Sequence, residues 1–482
     1  MPGVPRSRGC NSCLKQKKKC DQVRPACSRC ARLGIPCVGS GEQKYVFKPV
    51  SFTKPFKTSF SKPRKQQTSS QVSMLHKPQS PLTLLQAKLV AALETTDLRY
   101  GLSCYGYFLE HIPRRLGHSH ALDVSVDLMM SLFPYHYSFE IPSQVLAKYS
   151  SGLKVLRDPQ DETGTKLSPE DVAAFHIIMI CQSWLGQTDG GLKSHDKQVL
   201  TRFMGTVTEK GWSITFELQL LETSLVALFF EALVDPRIEL EHYVSRLRSQ
   251  SRQNEYNSNQ DALSRYFQVE RLLRIPRFMH EPLCYMDEIK ITYQELQDDH
   301  ARILHHLESV RTQKSSSGDL YCRQKLIHRL QVTEAILLTV ALALNSILRA
   351  TYPDDSVLLL EASTLANELI ALAKGVSQYR PLGANYIPPC LVATWATTSA
   401  LQAQRNEIEV LLTEYQQDYA RIKWMDQAQL MKALHETLLR HLSEPNRQDK
   451  VEKSDEDGKL EVLMVHCKAV FGSIGSCLLA SS

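Results

Sequence analysis

From residue 81 onward, apolar side chains recur every three to four positions and two-residue alternation is almost absent. That period puts apolar groups on one face of a helix, so the body of the chain, 81–482, is expected to be one all-α domain. The pattern predicts helices from Leu84 to Leu93, from Ala121 to Phe133 with Val124, Leu128 and Leu132 on one face, and from Val145 to Leu156. Tyr105, Phe108 and Leu109 recur at helical spacing before Ile112 and Pro113. Ser168 to Asp171 reads as a capping box with proline in the first turn, opening an apolar helix through Phe175, Ile178, Met179 and Trp184. Further helical patterns cover 214–233, 238–249, 262–274, 293–312, 320–350, 355–376, 390–417 and 425–442, and the polar stretches 251–259, 314–318 and 444–458 are expected loops. The most apolar run, Ala335 to Leu348, is interrupted by Thr339, Asn345 and Ser346. It falls short of the ~20 residues a membrane span needs and is expected to be a buried helix. No other segment is a candidate span, so no membrane partner is expected.

The first 80 residues break this pattern. Ser, Thr, Lys, Pro and Gln dominate 38–80, and Tyr45, Phe47, Phe52, Phe56 and Phe60 follow no sustained period. This segment reads as an extended, mostly disordered basic linker. No heptad series precedes residue 81, and the run Leu82, Leu85, Leu89 and Ala92 covers only about two turns. A coiled-coil dimer is therefore not expected, and the oligomeric state stays open.

Residues 10–37 have almost no apolar bulk and carry Cys10, Cys13, Cys20, Cys27, Cys30 and Cys37, the spacing C-x2-C-x6-C twice in tandem. A hydrophobic core cannot hold such a segment, which leaves disulfides or metal. A disulfide framework suits a short secreted chain; this chain opens with Met-Pro-Gly-Val-Pro-Arg and has no apolar leader. A C-x2-C pair aims two sulfurs at one point, which suits tetrahedral zinc with Zn–S bonds of about 2.3 Å. One zinc would leave two thiols idle. Two zincs need eight ligand places from six donors, so two thiolates must bridge. Lys15, Lys17, Lys18 and Lys19 would offset the negative charge of such a cluster and favour thiolate. Asn11 or Ser12 is expected to cap a short helix entering Lys15 to Lys19. Ser28 is expected to cap a second helix through Leu33, with Gly34 as its stop. The first helix would then present four lysines to phosphate and could enter a major groove.

Charge sharpens this picture. Residues 1–80 hold seventeen Lys or Arg against two acids, Asp21 and Glu42, whereas the remainder is acidic and the whole chain is +6. A basic head on an acidic body is a nucleic-acid footprint at one end. Arg6 and Arg8, in a basic lead over residues 1–9, could reach phosphates. Lys62, Arg64 and Lys65 form a basic cluster that could serve nuclear import. The seven remaining cysteines are scattered singly and read as ordinary buried thiols in a reducing compartment.

The cysteine spacing resembles that of the fungal zinc binuclear-cluster (two-zinc, six-cysteine) transcription factors, over about residues 6–40. The resemblance implies that Cys10 and Cys27 bridge two Zn2+. It implies that Lys17 reads a CGG-type triplet from the first cluster helix and that Lys19 meets phosphate. Leu14 and Gln16 stand where the family commonly has basic residues, which bears on base preference and not on zinc ligation. The stretch from Phe108 to Gly117, the Ala121 to Asp123 segment and the Ser194–His195 turn resemble the helical regulatory domain of filamentous-fungal members. That likeness implies an all-α domain that holds effectors or partners.

The expected arrangement is thus a basic lead at 1–9, a cluster domain at 10–37, a linker at 38–80 and a helical regulatory domain at 81–482. The expected function is a nuclear, sequence-specific regulator of transcription whose partners are double-stranded DNA and possible co-regulators. Two other classes were weighed: a helical enzyme or metabolite-binding protein with a zinc appendage, and a zinc-dependent protein adaptor. The sequence contains no H-E-x-x-H, P-loop, G-x-S-x-G or dinucleotide fingerprint. His118 and His120 read as a polar turn, and His305 and His306 as solvated positions on a charged helix. The acidic run at 452–457 has interleaved lysine and reads as a solvated loop.

Overall fold

The computed structural model describes residues 9–21, 23, 26–35 and 37, then 80–138, 140–157, 168–186, 215–233, 235–238, 240, 269–312, 320–419, 421–443 and 467. They fall in two compact units, Met1–Leu75 and His76–Ser482. No strand occurs among the described residues.

The first unit has two short helices, α1 (Asn11–Lys15) and α2 (Ser28–Leu33). Among its described residues the buried side chains include Cys10, Cys13, Cys27 and Cys30, with Cys20, Ile35 and Cys37 packed against them. Sulfur replaces the aliphatic core.

The regular elements of the second unit are all helical among the described residues. It opens with α3 (Pro81–Leu93), then three 3-10 segments at Leu98–Tyr100, Leu102–Tyr105 and Tyr107–Arg114. Helices α4 (His120–Leu132), α5 (Ser143–Arg157), α6 (Pro169–Leu185) and α7 (Thr215–Ala232) follow. Next come α8 (Val269–His280), α9 (Met286–Thr312), α10 (Leu320–Thr351) and α11 (Ser356–Val376). The set ends with α12 (Ile387–Thr397), α13 (Gln402–Tyr415) and α14 (Trp424–Ser443).

Two helices organise the packing. Every residue of α6 from Val172 to Leu185 is buried, and α4, α5 and α7 pack on it. The expected capping box is present, with Ser168 and Asp171 exchanging side-chain and backbone bonds. The 32-residue α10 contacts α9, α11, α12 and α14. One contiguous apolar cluster, from Leu85 to Cys467, joins both groups.

The polar interruptions of the apolar run in α10 have structural partners. Asn345 is fully buried and donates to the Tyr293 hydroxyl at 3.0 Å and the Leu358 carbonyl at 2.9 Å, while Arg349 Nε donates to its Oδ1 at 2.9 Å. Tyr293 in turn donates to Glu361 at 2.8 Å. A buried polar chain of this kind fixes the register of α9, α10 and α11, because any slip would leave desolvated groups unpaired.

The segment Phe108 to Asp123 is likewise structural. Phe108, Leu109 and Ile112 are buried, and Arg115 pairs with Glu170 at 2.9 Å while covering the Phe216 ring at 3.9 Å. Gly117 N–H donates to Asp123 at 2.8 Å, and the Ser119 hydroxyl to Asp171 at 3.0 Å. His118 and His120 are exposed at this turn.

Several expected elements take a different form. Residues 98–100, 102–105 and 107–114 are 3-10 rather than α, broken at Gly101 and Gly106; Gly106 adopts φ +136, and a Cβ there would sit 2.8 Å from the Phe108 ring. The expected helix over 390–417 is two helices. Thr397 and Thr398 turn their hydroxyls back onto the Thr394 carbonyl and end α12 there, the competition that makes Thr a poor helix continuer. Helix α8 runs through Pro276 to His280, whose Nε2 lies 2.8 Å from the Ala232 carbonyl. Helix α9 starts at Met286, ahead of the expected 293, with Asp287 and Glu288 favouring its N-terminal end.

Two described helices are long and apolar enough to cross a membrane, α10 and Ser356–Tyr379. The apolar pattern singles out only Ala335 to Leu348, and Ser356–Tyr379 departs from that expectation. The apolar window of α10 is 72% buried inside the unit, whereas that of the second helix is 39% buried. Cys181, Cys390 and Cys467 are buried thiols as expected, but Cys284 and Cys322 are exposed. The expected loops at 251–259, 314–318 and 444–458, the Ser194–His195 turn, Cys477 and the expected helix beyond residue 240 lie outside the described residues.

A titratable seam crosses α9, α10 and α11. His300 Nε2 lies 4.0 Å from Glu334 and 3.6 Å from Glu368. Burial pushes the Glu334 carboxyl up to about 7, against a smaller lowering by the Arg311 guanidinium, and burial lowers His300. A carboxyl with a raised folded pKa binds its proton more tightly folded than unfolded, so Glu334 costs stability as pH rises from about 4.5 through 7. His300 acts in the opposite sense below its unfolded value. Glu334→Gln is therefore expected to stabilise the full chain at pH 8 by on the order of 3 kcal/mol. The gain should fade as pH drops towards 4.5, as denaturant titrations at pH 5 and 8 would measure. An equal effect at both pH values would rule out this carboxylate as the cause.

Candidate metal centre and nucleic-acid interface

Each cysteine half builds the same local frame. The first cysteine precedes a short helix, the second lies within it, and the third returns from the following loop. The N–H of Cys10 donates to Cys20 Sγ at 3.4 Å, and the N–H of Cys27 to Cys37 Sγ at 3.3 Å. Helix α2 is capped by Cys27, whose sulfur accepts from the Cys30 N–H at 3.4 Å. The expected caps Asn11, Ser12 and Ser28 are instead the opening helical residues. A thiol at the N-cap both satisfies a free helix N–H and faces the other sulfurs.

Both helices end alike. The Lys18 N–H reaches back to the Cys13 carbonyl at 2.9 Å, and the Ile35 N–H to the Cys30 carbonyl at 3.2 Å. The residues before them, Lys17 and Gly34, take φ +53 and +59. This is the left-handed helix stop in which the 6→1 bond satisfies a terminal carbonyl. Gly34 does it without strain; Lys17 bears the penalty of a Cβ in that region. The first helix therefore stops at Lys15 rather than running to Lys19. Lys15, Lys17, Lys18 and Lys19 are all exposed, but only Lys15 is helical.

The sulfurs converge. Cys10 Sγ lies 3.5 Å from Cys30 and 3.9 Å from Cys27, and Cys13 lies 3.8 Å from Cys27. All six cysteines are free thiols. Four sulfurs at about 2.3 Å from one tetrahedral zinc stand about 3.8 Å apart, so these separations fit metal. They far exceed the ~2.0 Å of a disulfide. Two sets of four lie mutually within 4.8 Å: Cys10, Cys13, Cys20 and Cys27, and Cys10, Cys27, Cys30 and Cys37. Cys10 and Cys27 belong to both.

Local electrostatics single out the same pair. The Cys13 N–H holds the Cys10 thiol down to about 6, and the Cys30 N–H lowers Cys27. Burial pushes Cys13 up to about 12 and raises Cys30 as well. Helix N–H groups thus favour the thiolate form at the two sulfurs shared by both sets.

Two supporting contacts were not read from the sequence. Arg29 Nη2 donates to Gln16 Oε1 at 2.7 Å, tying the two halves together. Asp21 accepts from the Ser28 N–H at 3.1 and 3.2 Å, and the Ser28 side chain, with that N–H, holds its carboxyl below the usual range. Asp21 directly follows Cys20, and an acid able to reach a helix N-terminus was the available signal. Arg6, Arg8, Lys62, Arg64 and Lys65 lie outside the described residues.

Residues 8–45 match the family model of the fungal Zn(2)-Cys(6) binuclear cluster domain. The transcription factor FUP7 of Fusarium proliferatum (strain ET1) is 57% identical over 28 residues, which is 6% of this chain and 11% of that protein. The alignment thus spans about a tenth of the curated relative's length. No solved structure matches the chain.

Proposed function

From the premise that residues 8–45 form a fungal Zn(2)-Cys(6) binuclear cluster domain, which holds two zinc ions, we propose that the chain is a nuclear, sequence-specific regulator of transcription. The observation that carries this reading is the pair of four-sulfur sets sharing Cys10 and Cys27, with four exposed lysines beside them. In this reading Cys10 and Cys27 bridge, Cys13 and Cys20 complete one ion, and Cys30 and Cys37 complete the other. Zinc supplies folding free energy, not chemistry on a substrate.

Lys17 reads a CGG-like triplet and Lys15, Lys18 and Lys19 meet phosphate, with Arg6 and Arg8 adding backbone contacts. The linker 38–80 sets reach and carries Lys62, Arg64 and Lys65 for import. The helical region 81–482 regulates, and the chain acts by binding rather than by catalysis.

Selection of duplexes from a random-sequence pool by the full chain tests the reading. Enrichment of one short G/C-rich triplet is expected, with binding that falls steeply as salt rises. A zinc-dependent adaptor would enrich no sequence. With no heptads before residue 81, a second triplet on the duplex is expected to add no cooperativity through the linker.

A further inference from the structure

The helical unit contains a small cavity of about 50 Å3 where the 3-10 segments at 98–105 meet α10 and residues 383–386. Its exposed lining surface is mostly apolar, with Leu98, Tyr107 and Val332 contributing, and polar side chains such as Thr333 and Asn385 also line it. That combination, an apolar pocket with sparse convergent polar groups, is the make-up of a small-molecule site.

Two cations gather on one ring at this cavity. Lys325 Nζ lies 5.2 Å, and the Arg329 guanidinium 4.6 Å, from the centroid of Tyr107. They are four residues apart on α10, so their charges face each other across one turn, an arrangement that disfavours the helix. No carboxylate lies within ion-pair distance of Lys325 among the described residues. His328, also in the lining, sits against the Gly383 carbonyl, and burial lowers its pKa. The positive charge at the cavity thus comes from Lys325 and Arg329.

The wall itself is fixed. A Cβ on Gly383 would lie 2.5 Å from the Leu98 carbonyl oxygen and 2.9 Å from that of Tyr379. The Leu382 N–H also donates to the Arg99 carbonyl at 3.0 Å. Tyr386, 2% exposed, lines the same cavity, and its buried hydroxyl has no hydrogen-bond partner. A desolvated hydroxyl left unpaired is costly, and a polar group on a bound molecule would satisfy it.

We propose that this cavity is a binding site for a small organic carboxylate bearing a second polar group, such as a 2-oxo or 2-hydroxy acid. The carboxylate lies between Lys325 and Arg329, the short carbon body contacts Leu98, Tyr107 and Val332, and the oxo or hydroxyl group pairs with Tyr386. A volume of 50 Å3 holds about four water-sized groups, which limits the enclosed part to a few heavy atoms. If the helical region is regulatory, this acid is its effector; the binding itself does not depend on that reading.

The test is calorimetric titration of the full chain, without DNA, using pyruvate, L-lactate, acetate and the uncharged amide pyruvamide. Pyruvate or lactate is expected to saturate one site per chain with a Kd in the range of about 0.1–10 mM. Acetate should bind more weakly and pyruvamide should give no saturable signal. Lys325→Gln is expected to weaken the acid about tenfold. Tyr386→Phe, which removes only the unpaired hydroxyl, should weaken pyruvate and lactate severalfold and leave acetate unchanged. No saturable binding of any acid overturns the proposal, as does binding indifferent to both Lys325→Gln and Tyr386→Phe. Because the titration omits DNA, its failure leaves the triplet selection untouched, and the converse also holds.

Discussion

Cys10→Ser or Cys27→Ser is expected to remove both zinc ions from the full chain, whereas Cys20→Ser or Cys37→Ser should remove one. Cys10 and Cys27 are the sulfurs common to the two four-sulfur sets, and they are the thiols whose pKa neighbouring helix N–H groups lower. The effect should be large. Zinc ligation in small modules contributes roughly 10–16 kcal/mol of apparent folding free energy, and among the described residues of this unit the buried cluster is made of cysteine. Atomic emission on the purified chain, with native mass spectrometry, gives the count. Two zincs in the parent chain, one in Cys37→Ser and none in Cys27→Ser is the expected series. A Cys27→Ser chain that keeps one well-bound ion would mean the sulfur is terminal rather than shared.

The second large effect concerns base reading at Lys17. Lys17→Ala should lose discrimination between the selected triplet and a scrambled one, worth about 1–3 kcal/mol for a good base contact. Lys19→Ala should weaken both duplexes alike and lower the salt slope by about one. The left-handed backbone at Lys17 adds a control. A non-glycine residue in that region costs roughly 1–2 kcal/mol, so Lys17→Gly should firm the helix stop while removing the charge. If Lys17 serves only the turn, Lys17→Gly will bind DNA as well as the parent chain. If it reads bases, both substitutions lose discrimination, and the glycine variant does so with a more stable cluster.

The parts of this molecule legible from the sequence are those fixed by short-range chemistry. The tandem C-x2-C-x6-C spacing announced the sulfur geometry because metal ligation depends on donor type and separation and little else. The Ser168 to Asp171 capping box and the helical periods of α4, α6 and α10 held because their signals lie within one or two turns. Gly34 was a correct stop for the same reason. Its counterpart at Lys17 was missed, since a lysine does not advertise a positive φ; the tandem repeat, which sets Lys17 opposite Gly34, was the signal available. The division at Thr398 and the 3-10 run at 98–114 depend on side chains folding back onto carbonyls and on Gly106, details that hydrophobic period does not register. The Glu334, His300 and Glu368 seam and the Lys325 cavity join segments far apart in the chain, and no spacing rule brings them together.

The central claim is that a zinc-organised cluster reads base sequence. The direct measurement is an anisotropy titration of the full chain on a duplex carrying the selected triplet and on one with that triplet scrambled, each with and without a zinc chelator. At least about tenfold tighter binding to the triplet is expected, with loss of that preference in chelator and its return when zinc is restored. Equal affinity for the two duplexes, or a preference that survives removal of zinc, would contradict it.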